Sequence, residues 1–349
     1  MINVGIVGAT GYAGEELIGI LIRHPKVRIT NLSAKIDKPR VFSEIFPKFK
    51  NTLDLVCAEP DIKKIISQCE LVFLALPHTA SMKIAPSLLN AGKKVIDLSA
   101  DYRLKDVKTY EKFYKTKQKD RVYLKEAIYG LPELYREKIK KARLIANPGC
   151  YPTAAILALA PAITFGLVDL SQIIIDAKSG VSGAGRKAAE ELIFSEINED
   201  FKAYKVNTHQ HMPEINQELA KLANKLINVT FVPHLLPLNR GILETIYVKT
   251  QRHLPAGRQS RHKEARRQGL SSLYKKFYEK EPFVRIKDEG DFPTLKEVVG
   301  TNFCDIGIKD YGNIIIIIVA IDNLLKGASG QAVQNMNIMY EFPEYSGLT

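Results

Sequence analysis

The 349 residues carry 46% hydrophobic and 25% charged side chains, proportions of a folded chain that exclude disorder, and the length exceeds one hydrophobic core, so two domains are expected. The net charge of +12 raises a nucleic-acid partner, yet half of it falls between Lys249 and Arg267, where Lys249, Arg252, Arg258, Arg261, Lys263, Arg266 and Arg267 stand against a single Glu264. That stretch contains Pro255 and Gly257, ends before Gly269 and has no aromatics among its charges, so it reads as a solvated loop between a strand and a helix rather than an RNA-binding arm.

The first predicted strand is Ile2 to Val7; no basic n-region or cleavage site precedes it, and a cytoplasmic protein is expected. Gly8-Ala9-Thr10-Gly11-Tyr12-Ala13-Gly14 follows at once. A helix is predicted from Glu15 to about Arg23, with Leu17, Ile20 and Leu21 on one face, and a strand from Val27 to Leu32. Strand, glycine turn, helix and strand begin a doubly wound α/β fold. The alternation continues with a strand at Leu71 to Leu76, a helix at Ala80 to Ala91, strands at Lys94 to Leu98 and Ala142 to Ala146, and a helix at Cys150 to Phe165. Beyond it, strands at Ile173 to Lys178, Asn228 to Pro233, Ile242 to Lys249 and Asn313 to Ile321 have fewer helices between them. They suggest an α+β domain with a mixed sheet. The apolar run Ile314 to Ile321 is far short of the roughly 20 residues that span a bilayer, and reads as a strand buried on both faces. A final helix is predicted from about Leu324 to Glu341. The expected division is a Rossmann-type dinucleotide domain over 1–149, with the helix of 324–349 packing back on it, and an α+β catalytic domain over 150–323.

Six segments carry chemistry. Glycines at 8, 11 and 14 let backbone N–H groups approach a pyrophosphate, and the helix after them favours its negative charge. The second strand runs into Leu32-Ser33-Ala34-Lys35. An NAD enzyme places an acidic residue there for the ribose 2′-hydroxyl. A hydroxyl and a cation suit a 2′-phosphate instead, so the expected cofactor is NADP, with Ser33 and Lys35 as contacts. Asn147-Pro148-Gly149-Cys150 sets a thiol at the start of a helix, where unpaired N–H groups stabilise a thiolate and can hold an oxyanion. The other cysteines, Cys57, Cys69 and Cys304, have no such context. None of the four shows CxxC spacing or a histidine at zinc-ligand spacing, so no metal is expected.

The thiol needs an acid/base partner, and His209-Gln210-His211-Met212-Pro213-Glu214-Ile215 offers two imidazoles. Histidines two apart in an extended segment point to opposite sides, and His209 is the preferred partner. The pair lacks a nearby third zinc ligand. Asp97-Leu98-Ser99-Ala100-Asp101-Tyr102-Arg103 follows a strand end. Arg103 can grip a phosphate bidentately and Ser99 can donate a hydroxyl bond. Ser179-Gly180-Val181-Ser182-Gly183-Ala184-Gly185-Arg186 is a second glycine-rich loop, with Ser182 and Arg186 suited to an anion.

On these residues the chain resembles the N-acetyl-γ-glutamyl-phosphate reductase family of the semialdehyde dehydrogenase superfamily. The resemblance runs through Gly8 to Gly14, Asp97 to Arg103, Asn147 to Thr153, Ser179 to Arg186 and His209 to Ile215, and through Leu76-Pro77-His78, Tyr129-Gly-Leu-Pro-Glu133, Gly300-Thr-Asn-Phe-Cys304 and Asp322-Asn323-Leu-Leu-Lys-Gly327-Ala-Ser-Gly-Gln-Ala332. It implies reduction of N-acetyl-γ-glutamyl phosphate to N-acetyl-glutamate 5-semialdehyde by NADPH through a thioester on Cys150, with His209 moving protons. It implies substrate contacts at Ser99, Arg103, Ser182, Arg186, His211 and Glu214. Cofactor contacts are implied at Gly8, Thr10, Gly11, Tyr12, Ala13, Gly14, Ser33, Lys35, Pro77, Asn323 and Gly327, the last two near the nicotinamide. It also implies a homodimer or homotetramer, with neither nucleic acid nor membrane as partner. Aspartate-semialdehyde dehydrogenase and a reductase of carrier-bound aminoadipyl or glutamyl phosphate are the rival activities. A non-catalytic NADP sensor is the rival of another class. The basic stretch around Leu254 to Gly269 is longer than the family leads one to expect and keeps an acidic carrier in view.

Overall fold

The computed structural model describes residues 1–250 and 269–348. The basic stretch expected to be a solvated loop falls almost wholly on 251–268 and lies outside the described residues. The chain divides into two compact units, one of residues 1–148 and 328–349, the other of residues 149–327.

The first unit is built on strands β1 (Ile2–Val7), β2 (Val27–Ser33), β3 (Arg40–Val41), β4 (Val56–Ala58), β5 (Leu71–Leu74), β6 (Lys94–Asp97), β7 (Ile128–Tyr129) and β8 (Leu144–Ala146). Their spatial order is β3-β4-β2-β1-β5-β6-β8-β7. Every neighbouring pair is parallel except β3 with β4. Strands of such a sheet are covered on both faces and read as continuous apolar runs; Leu71, Val72, Phe73 and Leu74 are all fully buried. The order runs outward in opposite directions from β1 and β5. That reversal is where doubly wound sheets bind ligands, outside the carboxyl ends of the strands. The Gly8 turn leaves β1 and the Ala75–Pro77 turn leaves β5 at that edge. The helix Gly330–Met339 belongs to this unit and has every residue buried; it packs against the helices Pro132–Lys140 and Tyr12–Leu21.

The second unit holds β9 (Val168–Gly180), β10 (Lys202–Ala203), β11 (Thr230–Leu236), β12 (Ile242–Thr250), β13 (Val284–Ile286), β14 (Cys304–Tyr311) and β15 (Ile314–Ile321). Their order is β10-β11-β9-β12-β15-β14-β13. β9 with β11 and β13 with β14 are parallel; the other pairs are antiparallel, so the sheet is mixed. Parallel β9 and β11 require a crossover. The helix Met212–Ala223 lies in it, and the crossover therefore carries both the glycine-rich turn after β9 and the histidine segment.

Against this sheet packs Cys150–Thr164, a helix buried at every position from Tyr151 to Ile163. A helix apolar all round belongs in a core. It contains Pro161, which cannot donate to the Leu157 carbonyl four residues back. The Tyr278 hydroxyl donates to that carbonyl at 2.6 Å instead, and Tyr274 donates to Ala158 at 2.8 Å. The buried carbonyl is thus satisfied from outside the helix.

Candidate active site

In the first unit Gly8 sits at φ +97°, and a Cβ built on it would meet the Ala75 carbonyl oxygen at 2.2 Å. Only glycine fits between the ends of β1 and β5. Gly11 N-caps the helix Tyr12–Leu21, and no side chain caps it. The first-turn amides of such a helix have no intrahelical acceptor and carry its positive end. A turn that a side chain would fill, opening onto uncapped amides at the switch point, fits a dinucleotide pyrophosphate. Thr10, Tyr12 and Ala13 are half-buried along this turn, and Ser329 Oγ holds the Ala13 carbonyl at 2.8 Å. Pro77 is exposed beyond β5. Ser33 ends β2 with its hydroxyl donating to Asn31 Oδ1 at 2.7 Å, and Lys35 is exposed two residues on.

The segment after β6 turns inward. Ser99 is fully buried; its hydroxyl donates to Asp97 Oδ2 at 2.8 Å and accepts from the Asp101 amide at 3.2 Å. The Ser99 hydroxyl, expected to face a substrate, thus has its proton on Asp97. Asp101 accepts from the Thr79 and Met82 amides and from the Tyr110 hydroxyl. Burial, reinforced by the neighbouring Asp101, pushes the Asp97 carboxyl up to about 7. Arg103 is 4% exposed. Its Nε donates to the Asn147 carbonyl and its Nη2 to the Leu98 carbonyl, both at 2.7 Å. Asn147 donates to the Ala328 carbonyl and accepts from Asn335. The motif therefore braces the strand end from which the cysteine segment leaves.

In the second unit Cys150 opens its helix with Gly149 as an extended, uncapped N-cap. Cys150 is partly exposed, whereas Cys57, Cys69 and Cys304 are buried. Burial pushes the Cys57 thiol up to about 11 and raises that of Cys69, which keeps both protonated and inert. Glu214, in the first turn of Met212–Ala223 and 1% exposed, accepts the Gly149 N–H at 2.8 Å. His211 packs against the same residue: a Cβ on Gly149 would come 2.6 Å from His211 Nε2. His209 has both ring nitrogens engaged by the protein. Nδ1 accepts the His211 N–H at 3.0 Å, and Nε2 lies 3.5 Å from the Tyr204 hydroxyl. His211 is the ring that packs against the residue preceding Cys150, and the His209 ring lies beside it with centroids 4.9 Å apart. Glu214, expected at the substrate, holds the main chain of the turn through Oε1.

Gly327 closes the other side of the thiol, its position lying 2.8 Å from Cys150 Cβ once a Cβ is built. Asn323 accepts the Gly241 N–H at 2.7 Å and donates to Ser182 Oγ at 2.9 Å. Ser182 is thereby fixed, while Arg186 is exposed at the end of its loop. Sequence reasoning missed Tyr151, Tyr204 and Arg240. Arg240 pairs with buried Asp322 at 3.1 Å. Asp322 also accepts the Leu324 and Gly300 amides. The signal for Arg240 was its place in Pro237-Leu-Asn-Arg-Gly241, a turn between two strand ends; Tyr204 gave none beyond lying five residues before His209.

Residues 3–142 match the family described as semialdehyde dehydrogenase, NAD binding domain, and residues 150–323 match semialdehyde dehydrogenase, dimerisation domain. Solved structures agree in fold. Aspartate semialdehyde dehydrogenase II of Vibrio cholerae superposes with a TM-score of 0.70 at 20% identity over 98% of both chains. The Candida albicans aspartate semialdehyde dehydrogenase, solved with NADP, gives 0.70 at 17% over 97% of this chain and 98% of that one. Fold and site together are those of a semialdehyde dehydrogenase, an oxidoreductase. The chain is 47% identical to the N-acetyl-gamma-glutamyl-phosphate reductase of Desulforamulus reducens, over 100% of this chain and 98% of that one. It is 50% identical to the enzyme of that name from Geotalea daltonii, over the same shares. The chain belongs to the N-acetyl-gamma-glutamyl-phosphate reductase family.

Proposed function

We propose that the protein reduces N-acetyl-γ-glutamyl phosphate to N-acetyl-glutamate 5-semialdehyde and inorganic phosphate, using NADPH, as a step of arginine biosynthesis. The observation that carries this reading is the partly exposed Cys150 at an uncapped helix start, next to a Gly149 held by Glu214 and packed by His211. It stands in a chain alike from end to end to reductases of that name.

The Cys150 thiolate attacks the acyl carbon, the carbon–oxygen bond to phosphate breaks, and phosphate leaves a thioester on the sulfur. The amides at the helix start stabilise the oxyanion of that step. The Gly8 to Gly14 turn, with Ser33 and Lys35 at the 2′-phosphate, would hold reduced NADP, which would supply hydride for reducing the thioester to the aldehyde level. His211, as imidazolium, protonates the resulting thiohemiacetal oxygen; as imidazole it takes the proton back when the carbon–sulfur bond breaks and the aldehyde departs. His211 thus replaces His209 in the acid/base role. Glu214 fixes the Gly149 amide so that thiol and imidazole keep one geometry. Arg186 supplies positive charge for the phosphate, and Arg103 is held in its pose by two carbonyls.

No carboxylate stands at the end of β2 where NAD would need one, which supports NADP. The chain self-associates through its dimerisation-type domain. Support for a homodimer or homotetramer comes from one face of the second sheet, where Ile174, Tyr247 and Ile314 are 43%, 38% and 36% exposed; register sets Ile174 directly beside Tyr247 and Ile314 opposite Lys249, two residues further along the same face. Four free cysteines are in keeping with a cytoplasmic enzyme. Among the described residues no helix is long and apolar enough to cross a membrane.

The test is phosphate-dependent NADP reduction with N-acetyl-glutamate 5-semialdehyde, aspartate semialdehyde and a carrier-linked semialdehyde, repeated with NAD. The expected result is a kcat/KM for the first substrate with NADP at least tenfold above every other pairing. Preference for aspartate semialdehyde, the carrier-linked substrate or NAD would overturn the corresponding part.

A further inference from the structure

Proton positions around His209 follow from the chemistry of its neighbours. The His211 main-chain N–H can only donate, so His209 Nδ1, which receives it at 3.0 Å, carries no proton. The neutral ring then holds its proton on Nε2 and donates it to the Tyr204 hydroxyl oxygen, 3.5 Å away. The Tyr204 hydroxyl shares a hydrogen bond with the Tyr151 hydroxyl at 3.1 Å. Tyr151 is hydrogen-bonded to the Ser179 hydroxyl, and Ser179 Oγ donates to the Gly180 carbonyl at 2.8 Å. These contacts link the histidine segment to the glycine-rich turn.

The surroundings enforce this arrangement. His209 is 6% exposed, Tyr151 and Ser179 each 2%. The rings of Tyr151, Tyr204, His211 and Phe231 surround His209 with centroids 4.9 to 5.6 Å away. A proton added to Nδ1 would have to displace the His211 amide. Burial also pushes the Tyr204 hydroxyl up to about 12, so it stays a neutral phenol.

We propose that Tyr204, acting with Tyr151, is a positioning residue that locks His209 as a neutral Nε2–H tautomer, and that the locked ring holds the His211 backbone so that the His211 imidazole meets the Cys150 segment. The inference rests on the reading of Cys150 as nucleophile and His211 as acid/base. Tyr204 touches neither substrate nor thiol in this scheme. Its effect reaches the reaction only through the two histidines.

The experiment is two-bond proton–nitrogen NMR of the full-length enzyme labelled at its imidazole nitrogens, from pH 5.5 to 8, beside steady-state kinetics. Wild type is expected to show His209 as the Nε2–H tautomer throughout, with no titration near the ordinary value of about 6.5. Tyr204→Phe is expected to let His209 titrate or mix tautomers and to lower kcat on the order of tenfold, with KM within about twofold and the fold intact by circular dichroism. Tyr151→Phe keeps the Tyr204 acceptor and is expected to shift both readouts in the same direction but less. A His209 that titrates normally in wild type, or a Tyr204→Phe enzyme with unchanged tautomer and kcat, overturns the proposal. Should Tyr204→Phe fold poorly, the wild-type spectrum and Tyr151→Phe decide alone. A His211→Gln arm separates the two readings: full activity there removes the acid/base assignment, while the His209 tautomer still decides the positioning chain.

Discussion

The Asp97–Arg103 segment of the first unit and the His209–Glu214 segment of the second follow the same sequence logic. Each clusters ionisable residues in a loop, and each was read as a hand reaching for substrate. The first spends its groups on its own framework: Ser99 on Asp97, Asp101 on two amides and Tyr110, Arg103 on the Asn147 and Leu98 carbonyls. The second uses Glu214 and His209 in the same way but brings one imidazole, that of His211, against the residue before the thiol. A polar motif near a site is therefore mostly scaffold, and one or two of its members do the chemistry. Which ones is decided by burial and by hydrogen-bond partners distant in sequence.

The sharpest way to break this comparison is inside the second segment. His211→Gln is expected to lower kcat by roughly 10²- to 10⁴-fold, the usual worth of a general acid/base, and His209→Gln by far less. Equal losses, or the reverse order, would restore His209 as the acid/base. Steady-state kinetics at pH 7 reads the difference.

In the first segment the scaffold reading is tested by Arg103→Met. Two buried charge-assisted bonds to carbonyls are lost, a destabilisation of about 3 kcal/mol that thermal unfolding detects as a fall of several degrees. KM for the acyl phosphate is expected to rise as well. An unchanged melting temperature with a raised KM would make Arg103 a phosphate ligand alone.

A smaller effect comes from Asp97. Its carboxyl is raised from the ordinary 3.8 to about 7 by burial and by Asp101, so the folded state binds a proton that the unfolded state releases near pH 4. Asp97 therefore favours folding fully only below pH 4, and its contribution is lost as pH rises through about 7. Asp97→Asn is expected to flatten the pH dependence of the melting temperature between pH 4 and 7. The same slope in wild type and variant would contradict the assignment.

Local signals were legible wherever chemistry and backbone geometry coincide. The glycine turn after β1, the helix beginning at Cys150 and the mixed sheet of the second unit were all readable from period and punctuation. The β14 strand was not, because Gly307 and a charged end at Lys309 and Asp310 blur its pattern, though its pairing with β15 buries Cys304 to Ile308. The helix expected at Ala80 to Ala91 is a 3₁₀ turn, Ser81–Lys83, followed by Ala85–Asn90 with Pro86 in its first turn, since proline starts helices and does not continue them. The final helix begins later than expected: Leu325–Ser329 is a wide π turn before Gly330, at the point where Gly327 approaches Cys150. At the site, the sequence showed two histidines but not which one packs on Gly149. That depends on Tyr204 and Phe231, which reach His209 only once β10 and β11 are formed.

The central claim is that Cys150 carries the acyl group, and rapid mixing tests it most directly. Wild-type enzyme mixed with acyl phosphate, without dinucleotide, should release about one phosphate per active site in a burst and become acylated at Cys150 by mass. Cys150→Ser should show neither burst nor acylation, with kcat reduced by at least 10³-fold. A normal burst in Cys150→Ser, or acylation at another residue, would contradict the account.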